Sequence, residues 1–300
     1  MKSLSRLSWA AVAVAFGEVL LGSWTRINGA GMTCPDYPLC RGRLVPAFDG
    51  GVVWEWAHRL TAVALCILVG AAIVTALQRR NASIPFVRAA AAVVGALFLF
   101  QVFLGAATVR LSNTPVSVVW HWGAAMALIA ALAALAIFAS SGQPEQRAAN
   151  DRAVATVLGM AAGVAFITMC IGAYVSSSGA GLACVTIPGC AGNVVVFGDG
   201  QYVQMLHRLA AGASLLAAVA AFAFAWVKHA SARVRGWTSA GLALVFVQII
   251  LGLLNVAFRL PLDLREAHAA NAALIFLCFV SATTLASLEA SPAREPVNAA

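Results

Sequence analysis

A chain of 300 residues that is 62% hydrophobic and only 10% charged, with mean hydropathy +0.89, is not a soluble domain, in which about 25% of residues are charged. Its net charge of +8 is not a nucleic-acid footprint either. The basic residues fall in short clusters between apolar runs, which is the pattern of membrane topology signals. The chain reads as an all-α integral membrane protein.

Apolar runs of about 20 residues predict eight transmembrane helices, at 8–25, 52–77, 87–109, 117–139, 153–175, 202–227, 237–257 and 266–288. The first run follows Lys2 and Arg6 and has the outline of a secretory signal. Its equivalent at 153–175 lies mid-chain, so both are read as spans. Lys2 and Arg6, then Arg79, Arg80 and Arg88, then Arg147 and Arg152, then Lys228, Arg233 and Arg235, and finally Arg294 fall on one side of this arrangement. That side is expected to be cytoplasmic, with both termini inside. Arg26, Arg41, Arg43, Arg110, Arg259 and Arg265 fall on the other side. The short basic N-terminus lacks an amphipathic, serine-rich transit segment, which points to a bacterial plasma membrane.

The chain is a duplication. Gly22, Gly29, Gly31, Cys34, Pro38 and Cys40 recur 150 positions later, within GSWTRINGAGMTCPDYPLC and GAYVSSSGAGLACVTIPGC. His58 recurs as His207, the FQVFLG stretch holding Gln101, Leu104 and Gly105 as VQIILG, and His121 as His268. Four spans return the chain to its starting side. The expected architecture is therefore two tandem four-helix bundles, 1–145 and 146–300, related by a pseudo-twofold axis along the membrane normal. A polar hinge from Ser140 to Asp151, with Gly142 and Pro144, separates them.

Cys34 and Cys40 lie in the loop after the first span, and Cys184 and Cys190 in the loop after the fifth. The orientation puts both loops outside, in an oxidising compartment. A structural staple and a redox-active pair both fit the six-residue spacing; zinc is disfavoured because neither loop has a histidine. Cys66, Cys170 and Cys278 fall within spans and are read as small buried side chains.

Of five histidines, His229 belongs to a basic cluster on the cytoplasmic side. The other four, His58, His121, His207 and His268, each lie within one or two turns of the start of an even-numbered span, at one depth near the outer face. Two imidazoles projecting into a four-helix bundle can ligate a haem iron. Arg59 and Arg208 each follow the first histidine of a pair, and Arg26 lies close by. These arginines are candidates for neutralising porphyrin propionates, or for plain interfacial anchoring.

The halves differ around their histidines. Glu55, Arg26, Trp54, Trp56, Trp120 and Trp122 in the first are replaced by Gln204, Ser176, Val203, Met205, Ala267 and Ala269 in the second. An ionisable group near one site and a neutral one near the other suggests that the first half does chemistry and the second holds a haem for electron transfer. Glu18 also lacks an acidic counterpart, Thr168 standing in its place, and the sequence gives it no role.

With its duplicated spans, the loop NGAGMTCPDYPLCRG, the stretch EWAHRL and the four histidines, the chain resembles haem A synthases over nearly its whole length. The resemblance implies oxidation of the C8 methyl of haem O to a formyl group by successive hydroxylations, giving haem A for terminal oxidases. It implies that His207 and His268 bind a haem b cofactor, that His58 and His121 receive the substrate haem, that Glu55 is the catalytic carboxylate, and that Cys34 and Cys40 form a disulfide. Candidate partners are haem O, a haem O synthase, a quinone or other electron acceptor, membrane lipid and a second copy of the chain, but no nucleic acid. Three other readings fit less well. A dihaem cytochrome b would want haems near both faces. A thiol–quinone oxidoreductase leaves the histidine symmetry unexplained. A haem carrier leaves Glu55 without a purpose.

Overall fold

The computed structural model describes residues 2–84, 86–140, 150–190 and 198–290. Eight long helices dominate: α1 Lys2–Ile27, α2 Val52–Leu77, α3 Val87–Arg110, α4 Pro115–Ser140, α5 Asn150–Ser177, α6 Asp199–Val227, α7 Ala232–Ala257 and α8 Leu262–Glu289. All eight are long and apolar enough to cross a membrane. No strand is formed among the described residues. Lipid offers no partner to a backbone amide, so a spanning segment must satisfy its own hydrogen bonds, and these runs do so as helices.

The helices outrun the predicted spans because hydropathy reports only the apolar stretch. α7 begins at Ala232 rather than 237, where the Ser231 side chain caps the Val234 amide at 3.3 Å. α4 begins at Pro115, whose missing N–H costs nothing in a first turn. The expected hinge is helical from Asn150. Its residues 141–149, including Gly142, Pro144 and Arg147, and the tail carrying Arg294 lie outside the described residues.

Neighbour order repeats between the halves. α1 packs on α2 and α4, and α3 on α2 and α4; likewise α5 packs on α6 and α8, and α7 on α6 and α8. Each half is a ring of four helices. The rings meet where α4 touches α5 and α8, and where α1 touches α8. α4 is accordingly the most buried helix, with Met126, Leu128, Ile129, Leu132 and Leu135 sealed from outside. Its alanines let neighbouring backbones approach, which is how helices associate where lipid removes the hydrophobic drive. α3 and α7 turn Leu99, Phe103, Phe246 and Ile250 outward. Cys278 is buried as expected, but Cys66 is exposed, because α2 presents that face away from its ring.

Arg26 Nη2 donates to Ser176 Oγ at 2.9 Å across the seam. These two residues occupy equivalent places in the repeat. A residue can touch its own equivalent only near the axis relating two copies, so the end of α1 and the end of α5 mark that axis.

Candidate functional site

The four repeat histidines lie at one end of the bundle, the end that also carries both cysteine loops. His58, His121 and His268 are each six residues into their helix and His207 eight, so all sit about two turns below the helix start. Each imidazole packs against a glycine of the preceding helix. A Cβ built on Gly22 would stand 2.7 Å from His58 Cε1; on Gly105, 3.2 Å from His121 Cε1; on Gly172, 2.8 Å from His207 Cε1; on Gly252, 3.3 Å from His268 Cε1. Glycine inside a helix costs about 1 kcal/mol relative to alanine. The repeated glycines are explained by these cradles, in which no larger side chain leaves the imidazole its place.

The His207 and His268 rings face each other with centroids 6.4 Å apart and planes at 71°. Metal–imidazole bonds of about 2 Å on either side of one ion would set two ring centroids roughly 6 Å apart. The spacing therefore fits bis-imidazole ligation. His58 and His121 interact electrostatically in the first half. The Nδ1 atoms of His121, His207 and His268 are buried without a hydrogen-bond partner. His58 differs: its Nδ1 lies 3.0 Å from Glu18 Oε1, whose side chain is 13% exposed. The contact is an ion-pair separation rather than an aligned hydrogen bond.

Glu55 is tied to the first cysteine loop. Buried to 4% exposure, it reaches under the cysteine loop. Its Oε2 accepts from the Cys34 amide at 2.8 Å and from Thr33 Oγ1 at 3.0 Å. Its Oε1 accepts from Arg59 Nη2 at 2.8 Å. Gln204 repeats the pin without charge, its Oε1 accepting from the Cys184 amide at 2.5 Å and its Nε2 donating to the Gly181 carbonyl at 2.7 Å.

Arg59 and Arg208 are likewise drawn into the loops. Arg59 donates to the carbonyls of Asp36 (2.5 Å), Leu39 and Cys34 (2.6 Å). Arg208 donates to those of Thr186 (2.7 Å), Pro188 (3.2 Å), Gly189 (2.9 Å) and Cys184 (2.6 Å). Loop carbonyls thus take most donors of both guanidiniums, while Nε of each makes no bond to the loop. Arg26 keeps donors beyond its bond to Ser176.

Both cysteine pairs are disulfide-bonded, Cys34–Cys40 and Cys184–Cys190. Each loop opens at a glycine in the left-handed region, Gly29 at φ 73° and Gly179 at φ 74°, where a side chain would be strained. In the first loop Asp36 accepts from the amides of Gly42 at 2.7 Å and Arg41 at 2.6 Å. Those N–H groups, Gly42 above all, hold its carboxyl below the usual range. Trp56 Nε1 donates to the Leu44 carbonyl at 2.8 Å, Trp54 packs edge-on to Trp24, and Trp120 is exposed. Trp24, Trp54 and Trp56 thus lie at the loop end, while Trp122 packs against the core.

Sequence reasoning left Glu18 without a place. A pointer existed: Glu18 and Gly22 are four residues apart on one helical face, and Gly22 is the glycine against which His58 rests.

The fold and this site define a polytopic helical membrane protein with a duplicated histidine-pair centre under two disulfide-closed loops. Residues 5–280 match the COX15-CtaA family, cytochrome oxidase assembly protein, and the chain belongs to that family. It is 30% identical to the heme A synthase of Shouchella clausii, covering 93% of this chain and 96% of the relative. It is 28% identical to that of Bacillus licheniformis, over 86% and 88%, and 26% identical to that of Shewanella oneidensis, over 88% and 90%.

Proposed function

We propose that this chain is a haem A synthase, an enzyme that takes haem O as substrate and oxidises its C8 methyl group to a formyl group. The observation that carries the reading is the duplicated histidine pair, set in matching glycine cradles, in a chain whose relatives of near-equal length are named heme A synthase.

The two halves divide the work. His207 and His268, in the half 146–300, hold a haem b cofactor, whose chemistry is one-electron transfer. Their opposed rings and unpartnered Nδ1 atoms suit two neutral axial ligands. His58 and His121, in the half 1–145, receive haem O. Glu55 is the carboxylate that favours positive charge developing at the methyl, acting from beneath the loop with Arg59 beside it. Arg26, at the seam, is a candidate for a propionate. The loop end faces outward from a bacterial plasma membrane and both termini face the cytoplasm. The Cys34–Cys40 and Cys184–Cys190 disulfides then lie in an oxidising compartment.

The test is extraction and chromatography of the haems in the purified protein. Haem b together with haem O or haem A is the expected result. Haem b alone in both halves would identify a dihaem cytochrome instead.

The glycine cradles supply a prediction with a built-in control. Gly172→Ala should displace His207 and lower haem b content, read as the b-type absorbance per protein. Gly163→Ala, nine residues earlier on the same helix with nothing within 4 Å of its added Cβ, should leave it unchanged. Equal loss in both variants would show that general packing, not the cradle, sets haem binding.

A further inference from the structure

Glu55 and Gln204 make the same bond to equivalent loop amides, so the pin itself is common to both halves. A second difference between the two histidine sites lies one helix away. Glu18 Oε1 stands 3.0 Å from His58 Nδ1, and Glu18 Oε2 is buried without a partner. The equivalent Thr168 offers His207 its backbone and no carboxylate. Its hydroxyl is shared among the Val164 carbonyl at 2.9 Å, the Ala210 carbonyl at 3.1 Å and Ser214 Oγ at 2.8 Å. None of the four Nδ1 atoms makes an aligned hydrogen bond, and what distinguishes His58 is the charged oxygen at contact distance. Of the four histidines, His58 alone has a carboxylate against its ring.

A buried carboxylate in a membrane helix is costly and persists where it has a task. A carboxylate on the far nitrogen of a metal-bound imidazole fixes the tautomer, stops the ring from turning and makes the bound nitrogen a stronger donor.

We propose that Glu18 is a positioning residue for His58: its carboxylate, 3.0 Å from Nδ1, aligns with the Nδ1–H when the substrate haem binds, presents Nε2 to the haem iron, and makes this imidazole the most electron-donating ligand in the protein. The proposal rests on the reading of His58 as a substrate-haem ligand. Its consequence is a first-half haem of lower midpoint potential than it would have with four alike histidines, while the second-half haem is untouched. Sequence position agrees with this division, because the half that binds substrate carries the acid and the half that holds the cofactor carries threonine.

The experiment uses the full-length protein in detergent, loaded with haem O, and the variants Glu18→Gln, Glu18→Thr and Glu18→Asp. Midpoint potentials of the two haems are resolved by spectroelectrochemistry, and kcat and KM are measured separately. Glu18→Gln and Glu18→Thr should raise the first-half potential, leave the second-half potential in place, and lower kcat by roughly 10–100-fold with a smaller change in KM. Glu18→Asp should restore part of both. The second-half haem spectrum reports folding within the same molecule. Unchanged potentials in Glu18→Gln and Glu18→Thr would overturn the proposal. So would loss of both haems in all three variants, which would make Glu18 a packing residue. His58→Ala separates the underlying reading: a first-half haem that keeps its spectrum without His58 removes the ligand assignment itself, whatever Glu18 does.

Discussion

His207→Ala and His268→Ala are each expected to abolish the low-spin b-type absorbance of the purified protein. Removing an outer-shell partner of a metal ligand costs roughly 10–100-fold in affinity, and removing the ligand itself costs more. The surroundings offer no replacement. The Thr168 hydroxyl is committed to Val164, Ala210 and Ser214, and the Gln248 amide is committed to the His268 carbonyl and Asn271. Each substitution leaves one imidazole facing a space that its partner occupied at 6.4 Å. Added imidazole is small enough to enter that space and should restore part of the low-spin signal in His207→Ala. An intact low-spin spectrum in either variant would refute the ligand pair.

Most of the architecture was legible in the sequence, because membrane helices write their length in hydropathy and a duplication writes itself in register. The spans 52–77 and 87–109 differ from α2 and α3 by no more than one residue. The histidines were legible for the same reason: their spacing from each helix start repeats. What the sequence could not supply was the direction of side chains at the loop end. Glu55 lies one turn outward from His58, and that fact alone allows it to point toward a porphyrin or toward the loop. The Cys34 amide and Arg59 decide in favour of the loop. Nor could the sequence supply the bonds that Arg59 and Arg208 make to the loop carbonyls. Glu18 was visible as an unmatched acid, but its partner lies on another helix, 40 residues away in sequence, and only the packing of α1 on α2 brings the two together.

Glu55→Gln is expected to leave the fold and the haem b content nearly unchanged and to lower haem A formation roughly 10²–10³-fold, the usual cost of losing one electrostatic group from a catalytic site. Gln204 shows why the fold should tolerate it: an amide in the same place accepts from the equivalent loop amide and keeps the loop pinned. Arg59 feels the change. In the native protein its charge is balanced by Glu55 at 2.8 Å; in the variant it becomes a half-buried cation with no carboxylate beside it, as Arg208 is in the other half. An unbalanced cation opposes positive charge developing at the methyl of haem O. On the proposed division of the halves no such charge develops at the second site, and there Arg208 needs no counter-ion. The penalty should therefore fall on turnover and not on binding, so that cells carrying Glu55→Gln in place of the native protein accumulate haem O or a hydroxylated intermediate. Glu55→Ala should lose both the charge and the pin, and with them the ordered loop. Near-normal haem A in Glu55→Gln would reduce Glu55 to the loop anchor that Gln204 is. The asymmetry between the halves would then rest on Glu18, the acid that touches a histidine directly.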